Sequence, residues 1–153
     1  MKALNADQFD AIDRRIVAAL SADARLSLSA LAEKVGLSKT PVQARLKKLE
    51  AAKVIRGYAA IVDHSRLGRG HVAFVTVGLS DTRSAALKAF NEAVMKAPEI
   101  ESCHMTAAEF DYLLKVRTTD IADYRRVLGE TISALPHVAR TSTFVAMETV
   151  KDR

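Results

Sequence analysis

Lys39, Gln43 and Lys47 stand four residues apart, with Ser38, Thr40 and Pro41 around their start and Arg45 and Lys48 interleaved. On a helix, side chains spaced by four share a face. Such a set suits one chemistry: short hydroxyls and ammonium groups hold phosphates, while a primary amide reads donors and acceptors on base edges. Between Ser38 and Arg56 the six cations Lys39, Arg45, Lys47, Lys48, Lys53 and Arg56 face one acid, Glu50. A cluster of that sign is rewarded by a polyanion. A charge run is also what any solvated helix carries, so the surrounding elements must decide.

Those elements are two short helices meeting at a corner. Leu28, Leu31, Ala32 and Val35 recur at helical spacing, and Gly36 supplies the positive φ that ends the first. Ser38 can cap a second, which turns Val42, Leu46 and Leu49 inward. Pro41 falls within its first turn, where an N–H would lack an intrahelical partner. This is the layout of a helix-turn-helix with a basic recognition helix. Any αα-hairpin can share the apolar face and glycine corner; the basic outer face favours duplex DNA, with Gln43 on base edges and Ser38, Lys39, Thr40, Lys47 and Lys48 on phosphates. Arg45, near the inward stripe, packs its stem there and reaches the DNA backbone or Glu50.

Asp10 and Asp13 resemble a capping pair ahead of Ile12, Ile16 and Leu20, so a further helix closes a three-helix core. Ser27 or Ser29 caps the middle helix. Residues 54–62 are rich in β-branched and aromatic side chains and read as a strand, a wing or a tether. Residues 64–70, with Gly68, Gly70, Arg66 and Arg69, read as a linker. The expected organisation is a winged helix-turn-helix domain over 1–63, a linker over 64–70 and a second domain over 71–153.

In the second domain the period changes. Residues 71–79 form a strand apolar on both faces, with Val72 and Phe74 on one side and Ala73, Val75, Val77 and Leu79 on the other. A helix with Leu87, Phe90 and Val94 on one side ends by Pro98, and residues 100–105 and 112–118 are short strands. Asp120 caps a helix whose buried stripe is Ile121, Tyr124, Leu128, Ile132 and Leu135. A last strand spans 138–150, with Thr141, Thr143, Val145 and Met147 on one face. The sum is β-α-β-β-α-β, an α+β chain whose second half has the ferredoxin-like arrangement. One sheet face stays bare, which argues for burial against a second copy.

At 153 residues and 49% hydrophobic the chain is globular, with a formal charge of +5. Residues 1–63 hold eleven Lys/Arg against seven Asp/Glu, and 64–153 hold twelve against eleven, so the excess sits in the amino-terminal part. Cys103 is the single cysteine, which rules out an intrachain disulfide and a multi-thiolate zinc site. No signal peptide or membrane-length apolar run appears, and the cytoplasm is the expected compartment. Cys103 and His104 are neighbours on a strand and point to opposite faces. His64, His71 and His137 lack a second ligand at useful spacing, and Asp120 with Asp123 suits a helix N-terminus rather than acid-base work. Met105 and Met147 read as core fillers. No catalytic residue, metal or cofactor is expected.

Three further stretches carry a likeness. The motif Leu-Ala-x-x-Val-Gly-Leu-Ser-x-x-Pro-Val-x-x-Arg-Leu-x-x-Leu-Glu (Leu31 to Glu50), then Ile-x-Gly-Tyr (Ile55 to Tyr58), then Phe-Asp-Tyr-Leu-Leu-Lys-Val-Arg (Phe110 to Arg117), resembles the Lrp/AsnC feast-or-famine regulators over nearly the whole chain. Tyr124 to Glu130, Leu135 to Val138 and Thr143 to Lys151 look like the leucine-responsive branch, and especially its relatives that activate proline catabolism.

The resemblance implies a carboxy-terminal amino-acid-sensing domain that dimerises through its sheet, the dimers assembling to tetramers or octamers. It also implies an effector between dimers, with proline or leucine as candidates, at the loop Thr106, Ala107, Ala108, Glu109, Phe110 and Asp111, near Leu135, Val138 and Phe144. The family motif there is Thr-Gly-x-Tyr/Phe-Asp, and Ala108 replaces its glycine. A Cβ narrows the space for a ligand and disfavours positive φ, so either the effector class differs or the loop takes another path. Asp111 would meet an effector ammonium and loop N–H groups its carboxylate; without the resemblance Glu109 and Asp111 read as solvated turn acids. The alternative function is an amino-acid-binding metabolic enzyme subunit whose helical part mediates assembly. A regulator needs the basic face of residues 39–48 exposed, whereas an assembly module buries it.

Overall fold

The computed structural model describes residues 9–152. It divides into two compact units, the first running to Ile61 and the second beginning at Val62.

The first unit holds α1 (Ala11–Ala22), α2 (Leu28–Val35) and α3 (Lys39–Ala51). Asp10 caps α1 through the N–H groups of Ile12 and Asp13, and the Asp13 carboxylate accepts from the Asp10 N–H in return, completing a capping box. Of the two serines that could cap α2, Ser27 does so, its hydroxyl accepting from the Ala30 N–H at 3.2 Å. Gly36 closes α2 at φ 70°, a conformation that costs glycine little and an L side chain more. Ser38 holds the N-cap position of α3 without a side-chain cap bond. Ile16, Leu20, Leu31, Ala32, Val35, Val42 and Leu49 form the core, with Leu46 partly buried beside them.

Residues 54–62 carry no strand, which corrects the expected wing. Strand propensity needs a partner ladder to become a strand, and the described residues supply none. Ile55 packs against the helical core, while Tyr58, Ile61 and Val62 are exposed.

The second unit opens with a 3₁₀ turn, Ser65–Leu67, ended by Gly68 at φ 72°. The expected linker is therefore an ordered turn, and Arg69 donates from its guanidinium to the Arg117 carbonyl. Then follow β1 (His71–Leu79), α4 (Ser84–Val94), β2 (Ile100–Met105), β3 (Tyr112–Thr118), α5 (Ile121–Val127) and β4 (Val138–Val145). The strands form one antiparallel sheet in the order β2-β3-β1-β4. Ala73, Val75 and Val77 face Val116, Leu114 and Tyr112 across the β1–β3 register, and this side packs on Phe90, Val94, Tyr124 and Val127.

Three details depart from the sequence reading. Ile121 is 59% exposed, and Val127 is buried in the stripe instead. Leu128–Ile132 forms a π turn after α5, and its extra residue per turn brings Val127 and Ile132, five apart, to the same side. The last strand ends at Val145, and Met147 is fully exposed with Met105 mostly so, neither filling a core.

Candidate functional site

In α3, a rotation of about 100° per residue sets Thr40, Gln43, Ala44 and Lys47 opposite the buried Val42 and Leu49. Lys39, Thr40, Pro41, Gln43, Ala44, Lys47 and Lys48 are all exposed, as is Ser38. Among the described residues, Lys39, Gln43 and Lys47 have no hydrogen-bond or ion-pair partner. Ala44 lies among them, a methyl suited to an apolar base contact. Its small size gave no signal in the sequence.

Arg45 departs from expectation. It does not reach Glu50; its Nη1 lies 2.7 Å from both Asp10 Oδ2 and Asp13 Oδ1. Glu50 instead accepts from the Tyr58 hydroxyl at 2.9 Å. The Asp13 backbone N–H and then the Arg45 guanidinium hold the Asp10 carboxyl below its ordinary value. Lys48 Nζ is 3.9 Å from Asp13 Oδ2 and 5.3 Å from the Phe9 ring centroid. The role of Asp10 and Asp13 as ion-pair partners was missed in the sequence because 32 or more residues separate them from Arg45.

In the second unit the loop after β2 is closed on itself. The Thr106 N–H donates to the Asp111 carbonyl at 2.9 Å, and the Thr106 hydroxyl to the Phe110 carbonyl at 2.7 Å. The Asp111 carboxylate accepts from the Leu79 N–H at 2.7 Å, so one of its oxygens is already engaged in fixing the loop against β1. Ala108 is not in the left-handed region, where the non-glycine residues among those described are Lys53 and His137; the loop takes a path that a Cβ tolerates. Ala107, Ala108 and Glu109 are exposed.

Glu109 and Phe144 line a depression of about 340 Å³ together with Thr76, Gly78, Phe110, Arg140, Thr141 and Ser142. Arg140 donates from its guanidinium to the Glu109 carbonyl. It lies flat over Gly78, where an added Cβ would fall 2.6 Å from Nε and 2.8 Å from Cγ. Sequence reasoning missed Arg140, since only the β1–β4 register pairs it with Gly78. Val138 pairs with Leu79, near Asp111, but Leu135 is buried in the core and does not join the depression. Cys103 and His104 pair with Leu114 and Leu113 and so face opposite sides of the sheet; burial pushes the Cys103 thiol up.

The sheet face away from the helices carries Phe74 and Phe144 beside an ionic cluster. Glu101 pairs with Arg117 and with Lys115 at 3.1 Å, and Asp152 pairs with Lys115 and with Arg117 at 3.0 Å. Burial raises the Glu101 carboxyl, but Arg117 and Lys115 outweigh it and hold it below its ordinary range; Lys115 does the same for Asp152.

Two family models match the chain: the AsnC-type helix-turn-helix domain over residues 9–50 and the Lrp/AsnC ligand binding domain over 72–153. The chain is 55% identical over 147 residues to a proline dehydrogenase transcriptional activator of Rhodobacter capsulatus, covering 96% of each. It is 56% identical over 146 residues to the protein of the same name from Rhizobium radiobacter, covering 95% of this chain and 94% of that one. Among solved structures, a Neisseria meningitidis transcriptional regulator in complex with L-Met matches with a TM-score of 0.85 at 30% identity, covering 94% and 93% of the two chains.

Proposed function

Because this chain belongs to the Lrp/AsnC family of transcriptional regulators, we propose that Gln43 and its basic neighbours read duplex DNA and that a small amino acid bound at the loop 106–111 modulates the response. It is a DNA-binding regulator with a carboxy-terminal ligand-binding domain. The finer reading concerns which residues act. Gln43 reads base edges, flanked by Lys39, Thr40, Lys47 and Ser38 on phosphates, with Pro41 in the first turn. The observation that carries this is the exposed face of Lys39, Gln43 and Lys47, without a hydrogen-bond or ion-pair partner among the described residues. An enzyme subunit using its helices for assembly would cover that face, and the relatives are named as regulators.

Chains pair through the sheet face that bears Phe74 and Phe144, and the dimers assemble to tetramers or octamers in the cytoplasm. Apolar area left bare on a four-stranded sheet supports that pairing. The amino-acid effector sits at the depression beside Glu109, Phe110 and Phe144, with Ala107, Ala108 and Val138 nearby. Arg140 supplies a cation for its carboxylate, and the free oxygen of Asp111 remains for its ammonium. Proline leads as the effector because the two relatives above are named for proline dehydrogenase; leucine follows from the likeness to the leucine-responsive branch. Binding shifts populations only by its differential affinity for the assembled or DNA-competent states.

A thermal-shift screen of the twenty amino acids tests the ligand, since a molecule binding only the native state raises apparent stability. Proline or leucine is expected to raise the midpoint in the wild type, and Arg140→Ala to lose that rise. No shift with any amino acid overturns the effector reading.

A further inference from the structure

Of the cations that the sequence directs toward phosphate, Arg45 has a different geometry. One of its guanidinium nitrogens bridges Asp10 and Asp13, 2.7 Å from each. Both carboxylates belong to the capping box that begins α1, and Asp13 is 1% exposed. The bridge ties the second turn of the recognition helix to the N-terminus of another helix. Turning Arg45 to a phosphate would take its 2.7 Å partner from the buried Asp13 carboxylate and leave it Lys48 at 3.9 Å. It would also bring that phosphate toward two acids. Lys48 leans the same way, toward Asp13 and the Phe9 ring. Gln43 lies about 160° around the helix from Arg45, on the exposed side. A link on the inner side therefore governs the rotation at which Gln43 meets a groove.

We propose that Arg45 is a positioning residue for DNA recognition rather than a phosphate contact. Its bridge to Asp10 and Asp13 fixes the rotation of the recognition helix, so that two acids outside the DNA contact surface set how well bases are discriminated. The inference rests on the reading of α3 as the DNA-reading helix.

The test uses the full chain and a duplex enriched by the wild type from a random-sequence library, compared with a scrambled duplex of the same composition. For Arg45→Met, Asp10→Asn and the double variant, three quantities are measured: the affinity ratio of the two duplexes, the salt dependence of binding, and the thermal midpoint. Positioning predicts that Arg45→Met lowers the ratio about tenfold, the scale of one well-placed base contact, and that Asp10→Asn, which leaves the Asp13 arm, lowers it in the same direction by less. The double variant should lose no more than Arg45→Met alone, because that change already removes both arms of the bridge, of which Asp10→Asn removes one. The salt slope should stay unchanged. A phosphate contact predicts the opposite: Arg45→Met lowers the slope by about 0.9, and Asp10→Asn tightens binding by freeing the guanidinium. That outcome overturns the proposal, as does a lower thermal midpoint with an intact ratio. A wild type that enriches no duplex overturns the DNA reading and this proposal with it. A wild type that enriches one, with variants that keep the ratio, overturns this proposal alone.

Discussion

Phe74 on β1 stands directly across from Phe144 on β4, and the two rings remain 38% and 59% exposed on the sheet face opposite the helices. A cross-strand aromatic pair stabilises its own sheet, but this much exposed aromatic surface on the open face, toward its β4 edge, is what a partner copy would cover. Phe144→Asp is expected to weaken pairing by about 2–4 kcal/mol, the range of an interface hot spot. Light scattering of the full chain at micromolar concentration checks it; an unchanged mass for the variant would remove this face from the interface.

Gln43 and Lys47 separate two terms of DNA binding. Gln43→Ala should cost about 1–3 kcal/mol on the preferred duplex and relax selection there, while Lys47→Ala should weaken all duplexes alike and lower the salt slope by about 1. Titrations over a series of salt concentrations distinguish them. Equal selectivity in Gln43→Ala would exclude base reading by that side chain.

Gly36 sits at φ 70° with nothing within 4 Å of where a Cβ would be. Gly36→Ala therefore meets only backbone strain, about 1 kcal/mol. Denaturant midpoints should fall accordingly, and Gly36→Asn should recover part of the loss because asparagine tolerates the left-handed region.

Glu101 and Asp152 titrate lower folded than unfolded, where their ordinary values are 4.5 and 3.8. Their contribution is therefore complete above the unfolded values and lost as the pH falls through the folded ones. Thermal midpoints should drop on acidification below about pH 4.5. Glu101→Gln should be less stable at neutral pH by about 1 kcal/mol, discounted for partial exposure, and show a shallower acid decline. A variant with the same acid profile as the wild type would deny the cluster this role.

Gly78→Ala puts a methyl where the Arg140 stem lies, so the guanidinium must leave the Glu109 carbonyl. Because a flexible side chain can yield, stability should change by less than about 1 kcal/mol. Effector affinity, measured by calorimetry, should fall severalfold. An unaltered affinity would place the effector away from Arg140.

Local chemistry made much of this legible in the sequence. Asp10 with Asp13 announced a capping box, Gly36 a helix end, and the apolar side chains on both faces of residues 71–79 a strand needing cover on both; each depends on neighbours a few residues apart. The exposed basic face of α3 follows from the same period, because burying Val42, Leu46 and Leu49 leaves Lys39, Gln43 and Lys47 outside. What failed depended on partners distant in the chain. Residues 54–62 have strand propensity but no ladder to join, Ile121 in the first turn of α5 stayed exposed while Val127 took a buried place, and Leu135 went to the core instead of the loop. Arg45 took its counter-ions from Asp10 and Asp13, and Arg140 reached the Glu109 carbonyl by crossing Gly78. Period and propensity act through a turn of helix or a step of strand, so the sequence by itself determined the elements and their faces. Which charge meets which carboxylate is settled only when packing brings distant segments together, and that the tertiary structure alone decided.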